Sequence, residues 1–432
     1  MNGLLRALYG AAGLVARAVT ATGIPGDGKL AHAIAARRDL LRHYHTFGET
    51  TRDRTRPLAW FHAPSVGEGL MALPVMQRLR TLRPDVQQAY THFSPSAATF
   101  ATRTGADFSA CLPFDVAAHM AAALDALQPS ALVFSKVDVW PLLVNEAARR
   151  HVKLGMISAA LAENSGRRGG LAAALTRDAY AALDAVGAVD DADAHRLIHL
   201  GVRPSVIRVT GDTRYDQVSA RTAAAAQNAP WLARFRAQPR ITLVAGSTWP
   251  ADEAVLLPAW QAIAARWPGA LRLIIAPHEP TPAHLAPIES WCATAALRCA
   301  RLDAPLDADA DVLVVDRVGV LGELYDLADA AFVGGGFHDA GLHSVIEPAA
   351  FGAPVTFGPR HGASRDAALL LTAGGAAAAA DTPALHRILE RWCDPADPSA
   401  RRNTGDAARA VVARNVGAAD ASTALVLSLL DR

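Results

Sequence analysis

Cysteine is scarce: the 432-residue chain has four, Cys111, Cys292, Cys299 and Cys393, with no C-x-x-C pair among them. That spacing supplies neither a zinc pattern nor a disulfide framework, and a reducing cytosolic setting is expected. A charge excess is missing too, since 42 Lys plus Arg stand against 41 Asp plus Glu for a net charge of +1. A general nucleic-acid binder would carry a strong basic excess, so no nucleic-acid partner is expected and small or lipid partners fit better. There is no fixed-period repeat and no long low-complexity tract, although the Ala run at 376–380 approaches one. A clean membrane span is also lacking: residues 4–23 are apolar but interrupted by Arg6 and Arg17. They read first as an interfacial helix, with Leu4, Leu5, Leu8, Leu14 and Val15 in lipid and the two arginines among the head groups. A soluble packing helix and a processed leader are the alternatives. The stretch at 29–56 carries Lys29, Arg37, Arg38, Arg42, Arg52, Arg54 and Arg56, which suits anionic lipid or a solvated helix face.

What is present is length and alanine. The chain is too long for one typical core, and two domains are expected. The composition is 51% hydrophobic, much of it Ala, which suits helices packed on a parallel sheet. From Pro57 onward short apolar runs alternate with longer Ala/Leu-rich helical stretches, a βαβ rhythm. Strands are predicted at 58–62, 86–91, 131–134, 153–157, 185–189 and 207–210, with helices between them such as 67–80 and 116–127. A polar stretch at 216–239 breaks the rhythm, which restarts with strands at 241–245, 271–276, 312–315, 330–333 and 354–357. Two doubly wound α/β domains in tandem are expected, with boundaries at 29–215 and 240–432, a linker at 216–239 and the apolar helix within 1–28. A ligand would lie in the crevice between them, beyond the carboxyl ends of the strands.

Two segments at such strand ends carry chemistry. In 334–359, GGGFHDAGLHSVIEPAAFGAPVTFGP, three glycines allow a sharp turn and close approach of a ligand. Ser344 and Glu347 have capping-box spacing, which predicts a helix over 344–351 whose free N–H groups face the turn and receive a phosphate. An ordinary strand-turn-helix corner is the plainer alternative. After the strand LAWFH, the run Ala63 to Gly69 places Glu68 in the first turn of a helix. There it is either a helix-capping acid or a general base kept ionised by the helix N-terminus.

The ordered blocks HAPSVGEG (62–69), DVWP (138–141), TGDTRYD (210–216), AGST (245–248), APHEP (276–280) and VGGGFHDAGLHSVIEPAAFGAPVTFGP (333–359) together resemble the 3-deoxy-D-manno-oct-2-ulosonic acid (Kdo) transferases, over roughly 57–375. The resemblance implies a GT-B glycosyltransferase, two Rossmann-like domains facing across a cleft, with an acceptor-side N-terminal half and a CMP-sugar-binding C-terminal half. It implies CMP-Kdo as donor, a lipid A precursor as acceptor, inversion at the anomeric carbon, no metal or other cofactor, and a place on the cytoplasmic face of the inner membrane.

Carried over by position, Glu68 matches the family's base. Pro277 and His278 match a CMP-contacting pair, with His278 where the family has Arg. Val318, Gly319 and Val320 match the nucleotide loop M-G-E, and Ser344, Val345, Ile346 and Glu347 match N-x-x-E, with Ser344 for Asn. Ser65, Gly67, Arg214, Ser247, Thr248, Gly335, Gly336 and His343 are further candidate donor or acceptor contacts. His62, Ser65 and His343 are as suited to orienting loops as to reacting, and Trp140 reads as core packing ahead of a sugar platform. The family's E-T-E-x-W-P-N becomes Lys136 to Leu142, so one acid is now a cation, and its N-A-R-x-S becomes Ser158 to Ala162, without the Arg. Another GT-B activity, a UDP-sugar transferase or 2-epimerase, and a non-catalytic membrane-bound paralogue that binds lipid or sugar stand as alternatives.

Overall fold

The computed structural model describes residues 34–162, 165–304 and 307–431. The expected membrane-associated helix at 1–28 lies outside the described residues. The chain divides into two compact units, Met1–Gln217 with Val416–Arg432, and Val218–Asn415.

The first unit holds a seven-stranded sheet of β1 (Leu58–His62), β2 (Gln87–His92), β3 (Phe108–Cys111), β4 (Ala131–Ser135), β5 (Lys153–Ala159), β6 (Ala185–Ala188) and β7 (Ile207–Val209). Their order is β3-β2-β1-β4-β5-β6-β7 and every pairing is parallel. Helices cover both faces, so β1 is buried at all five positions. Its alternate side chains serve different layers: Leu58 and Trp60 join one core, Ala59 and Phe61 the other.

The second unit repeats the plan with β8 (Ile241–Thr248), β9 (Leu271–Pro277), β10 (Cys299–Arg301), β11 (Val312–Val314), β12 (Ala330–Val333), β13 (Val355–Phe357) and β14 (Ala376–Ala378), in the order β10-β11-β9-β8-β12-β13-β14 and again wholly parallel. Three strands were not among those predicted, β3, β10 and β14. Each lies at a sheet edge with only three or four residues, too few for a periodic signal, and β14 is built from the alanine run.

The expected domain limits need correction at both ends. Residues 216–239 are not an open linker. One helix, Thr213–Asn228, runs through the boundary, and after it Ala229, Leu232 and Phe235 are buried in the second unit's core beside Val244 and Ile274. Apolar residues spaced among polar ones hid that packing. The last helix, Ala418–Leu430, belongs to the first unit, where Leu425, Val426 and Leu429 pack with Phe61, Met76 and Leu79. Gly155 on β5 makes the room, since a Cβ there would lie 2.6 Å from Leu429.

Three of the arginines of 29–56, Arg37, Arg52 and Arg56, are tied into the fold. Arg37 is buried, donating to the carbonyls of Leu112 and Phe93 with its guanidinium over the rings of Phe93 and Phe114. Arg52 donates to the carbonyls of Leu127, Arg56 and Gln128, and Arg56 to those of Asp85 and Pro84. Arg42 pairs with Asp39, while Arg38 and Arg54 are exposed.

Candidate active site

In the first sheet the strand order reverses between β1 and β4, the position where an open α/β sheet leaves a crevice at its carboxyl ends. The segment after β1 carries Ser65, Gly67 and Glu68, and the segment after β4 carries Lys136 to Trp140. Glu68 stands in the first turn of the helix Val66–Leu82. Ser65 precedes that helix without capping it, and its hydroxyl donates instead to Glu68 Oε2. Lys136 Nζ lies 3.3 Å from Oε1, and the Ser135 hydroxyl donates to the Glu68 carbonyl at 2.7 Å. Burial works against the charged carboxylate, but the Ser65 hydroxyl and the Lys136 ammonium outweigh it and hold the Glu68 carboxyl below its ordinary value. Gly67 is exposed, and an added side chain there would meet nothing nearer than Ser65 Oγ at 3.7 Å, so the mouth of this turn is open.

Behind it lies a closed polar network. Trp140 Nε1 donates to His62 Nε2 at 2.9 Å, which leaves the proton on Nδ1 to face Thr91 Oγ1 at 3.0 Å, and Trp60 Nε1 also donates to that oxygen at 2.8 Å. Burial, then the nearby His92, pushes the His62 pKa down to about 3, so His62 orients and does not exchange protons near neutrality. Trp140 stacks on Phe93 with centroids 4.7 Å apart and packs against the first unit's core. Arg214 is not a free cation: its Nε and Nη2 donate to Asp212 Oδ2 at 2.9 and 2.7 Å.

In the second sheet the order reverses between β8 and β12, and the predicted donor residues lie at or beyond the carboxyl ends of β8, β9, β11 and β12. Ser247 near the end of β8 has a left-handed backbone (φ 56°) at a break in the β8–β9 register, and is half-buried. Thr248 is buried and donates to Glu253 Oε1 at 2.8 Å, while its carbonyl accepts the His278 N–H at 2.9 Å. Pro277 ends β9 in the interior and His278 is exposed. The His278 ring centroid lies 4.7 Å from that of Trp249 and 4.5 Å from that of His343. Trp249 also stacks on His338, at 4.4 Å and 5°, and donates from Nε1 to His343 Nε2 at 3.3 Å. Burial first, and then His278, lowers the His343 pKa. Val318, Gly319 and Val320 form an open loop beyond β11: Val318 is 76% exposed, and Gly319 (φ 94°) has no atom within 4 Å of where a Cβ would stand.

The glycine turn differs from expectation. The buried Asp252 carboxylate accepts the N–H groups of Gly335 at 2.8 Å, Phe337 at 3.0 Å and Trp249 at 3.0 Å. The chain's own carboxylate therefore fills the turn that was expected to admit a ligand. Gly334 and Gly336 serve backbone packing, since a Cβ would come within 2.2 Å of the Ser247 carbonyl oxygen and 2.3 Å of the Gly358 nitrogen. The capping box is also absent. The helix spans Ile346–Phe351, and Val345 and Ile346 turn into the core, which leaves Ser344 exposed and outside it.

Glu347 lies in that short helix with Arg221 Nη1 3.2 Å from Oε1. Burial raises the Glu347 pKa, and the Arg221 charge only partly opposes this. Gly322 leaves room for the guanidinium, since a Cβ would sit 2.6 Å from Arg221 Nη1. Arg221, Asp252, Trp249 and His338 escaped prediction: Arg221 fell in the supposed linker, and the contacts of the others join segments remote in sequence. Among the described residues no group of three or more His, Cys, Asp or Glu is placed to hold a metal ion.

Two parallel α/β units, each with polar groups at its switch point, define a two-domain protein of the GT-B class. The fold is shared with UDP-GlcNAc 2-epimerase from Neisseria meningitidis, with a TM-score of 0.63 over 87% of this chain and 100% of that one, at 14% identity. Sequence gives the family. The model of the 3-deoxy-D-manno-octulosonic-acid transferase (kdotransferase) family matches residues 40–217. A 3-deoxy-D-manno-octulosonic acid transferase from Bordetella pertussis is 30% identical over 86% of this chain and 88% of its own length. One from Chlamydophila psittaci is 29% identical over 78% of this chain and 77% of its own length. The chain belongs to the 3-deoxy-D-manno-octulosonic acid transferase family and is a glycosyltransferase.

Proposed function

We propose that this enzyme of lipopolysaccharide biosynthesis moves Kdo from CMP-Kdo to a lipid A precursor, with inversion, at the cytoplasmic surface of the inner membrane. In this reading the N-terminal unit serves the acceptor and the C-terminal unit the donor. Glu68 takes the proton of an acceptor hydroxyl as its oxygen bonds to the Kdo anomeric carbon. The bond from that carbon to the CMP phosphate oxygen breaks, and its electron pair leaves with CMP.

The observation that carries the reading is the setting of Glu68, a carboxylate beside an open glycine at the β1/β4 switch point, held ionised by Ser65 and Lys136. On the donor side His278 and the open Gly319 backbone are proposed for the phosphate, and Glu347 for the ribose diol. Ser247 and His343 are proposed to border that surface, while Gly335 and Gly336 lie buried behind it. Segment 1–28 is proposed to hold the enzyme at the membrane.

The test is a transfer assay with CMP-Kdo and a lipid A precursor, read by mass spectrometry of the glycolipid product. Product is expected with the unaltered chain, and Glu68→Gln is expected to reduce turnover by about 10²–10⁴-fold while leaving CMP binding intact. Wild-type turnover in Glu68→Gln removes the base role, and thermal stabilisation by UDP in preference to CMP removes the donor assignment.

A further inference from the structure

The loop after β4 holds Glu68 twice. Ser135, the last residue of β4, donates its hydroxyl to the Glu68 carbonyl at 2.7 Å, and Lys136, the next residue, sets its ammonium 3.3 Å from the carboxylate. Lys136 reaches that place from a left-handed backbone, φ 65°, anchored by its N–H on the Ile157 carbonyl at 2.9 Å. A non-glycine residue in that region is strained and persists where the surroundings impose it. Glycine would remove the strain, and it would also remove the cation.

The Glu68 carboxyl is acted on by the Ser65 hydroxyl and its own backbone N–H in the same turn and by Lys136 after β4, and Tyr90 on β2 lies near enough to feel its charge. Tyr90 is buried, and burial raises its pKa well above neutrality, so it carries no charge there. Lys136 is thus the charged member of the set, and it faces a carboxylate only 17% exposed. A half-buried carboxylate without a cation drifts toward its neutral form, which cannot accept a proton.

We infer that Lys136 is a positioning residue for catalysis: its ammonium fixes the orientation of the Glu68 carboxylate and keeps it charged in moderately acidic medium. The inference rests on Glu68 being the base. Lys136 acts through Glu68, and its influence is read in the pH dependence of turnover.

The experiment compares kcat/KM between pH 4 and 9 for the unaltered enzyme, Lys136→Met, Lys136→Gly and Lys136→Arg, with CMP-Kdo and a lipid A precursor. The acidic limb is expected to move up by about one pH unit in the Met and Gly variants, as befits loss of an opposite charge within about 4 Å, and to stay in place in Lys136→Arg. Lys136→Gly suits the left-handed backbone and guards against misfolding, and its melting temperature should match or exceed that of the unaltered enzyme. Loss of turnover in Glu68→Gln combined with an unmoved limb in Lys136→Met and Lys136→Gly overturns the role of Lys136 alone. Wild-type turnover in Glu68→Gln overturns the base reading beneath it.

Discussion

If the glycine turn is built around a protein carboxylate, Asp252→Ala should unfold it. The substitution orphans three N–H groups, that of Gly335 in a buried bond and those of Phe337 and Trp249 in half-buried ones. A buried donor left without an acceptor costs about 1–3 kcal/mol, and a half-buried one roughly half that, so the three sum to about 2–6 kcal/mol. That is a large part of the 5–15 kcal/mol by which a typical domain is stable. With a urea m-value near 3 kcal/mol/M, the unfolding midpoint of the second unit should fall by about 0.7–2 M. Asp252→Asn keeps one carbonyl-type oxygen and should fall between. The vacated N–H groups form a small anion nest, so inorganic phosphate should restore part of the loss in Asp252→Ala, about 2.7 kcal/mol when present at a hundred times its Kd, with a smaller gain in the unaltered protein. Urea titrations with and without phosphate measure both effects. An Asp252→Ala midpoint equal to that of the unaltered protein refutes the reasoning. So would lost turnover at full stability, which would make Asp252 a reacting group.

Removing residues 416–432 withdraws Leu425, Val426 and Leu429 from the first unit's core, worth about 1.5–3 kcal/mol each. It also removes the two N–H groups bound by Asp216. The first unit should then be cleaved by protease under conditions where the full chain resists; equal resistance would show that the helix is dispensable. His62 is held neutral in the fold with a pKa of about 3, against about 6.5 in the unfolded chain, so between those values the unfolded state binds more protons. Stability should therefore fall with decreasing pH below about 6.5, with His62 contributing up to roughly 1.4 kcal/mol per pH unit. Denaturant titrations at pH 7, 5.5 and 4.5 check this, and an unchanged slope in His62→Gln would assign the loss to other groups.

The buried parallel strands were legible because their apolar runs are continuous: LAWFH at 58–62 and AAFV at 330–333 match the observed strands end to end. Of the four edge strands only β7 was, because a strand with one neighbour is stabilised by pairing and needs few apolar residues. The last helix looked like part of the second domain because sequence order gives no hint that the chain returns to its first unit; the cue in hindsight is Gly155, an interior glycine on β5 that accommodates Leu429. Residue type and the family resemblance nominated Glu68, His278 and Glu347 as candidates. They did not reveal the partners that set their chemistry. Arg221 and Glu347 are 126 positions apart, and Lys136 and Glu68 are 68 apart. Local rules also mislead where a nonlocal group intervenes, as when Asp252 takes the donors of the glycine turn and Val345 and Ile346 are drawn inward away from Ser344.

Three carboxylates show how those partners divide the work. Glu68 has a hydroxyl and a cation against it and lies lower than an ordinary carboxyl, so it is ionised and ready to accept a proton. Glu347 has one guanidinium beside it that offsets only part of the cost of burial, so its pKa is raised. Asp252 has its oxygens taken by three backbone N–H groups, which commits it to shaping a loop. Side-chain type alone would make all three candidate bases. Of the three, the proposed base Glu68 is the one whose pKa is lowered by a neighbouring hydroxyl and a paired cation, and its turn opens to solvent at Gly67.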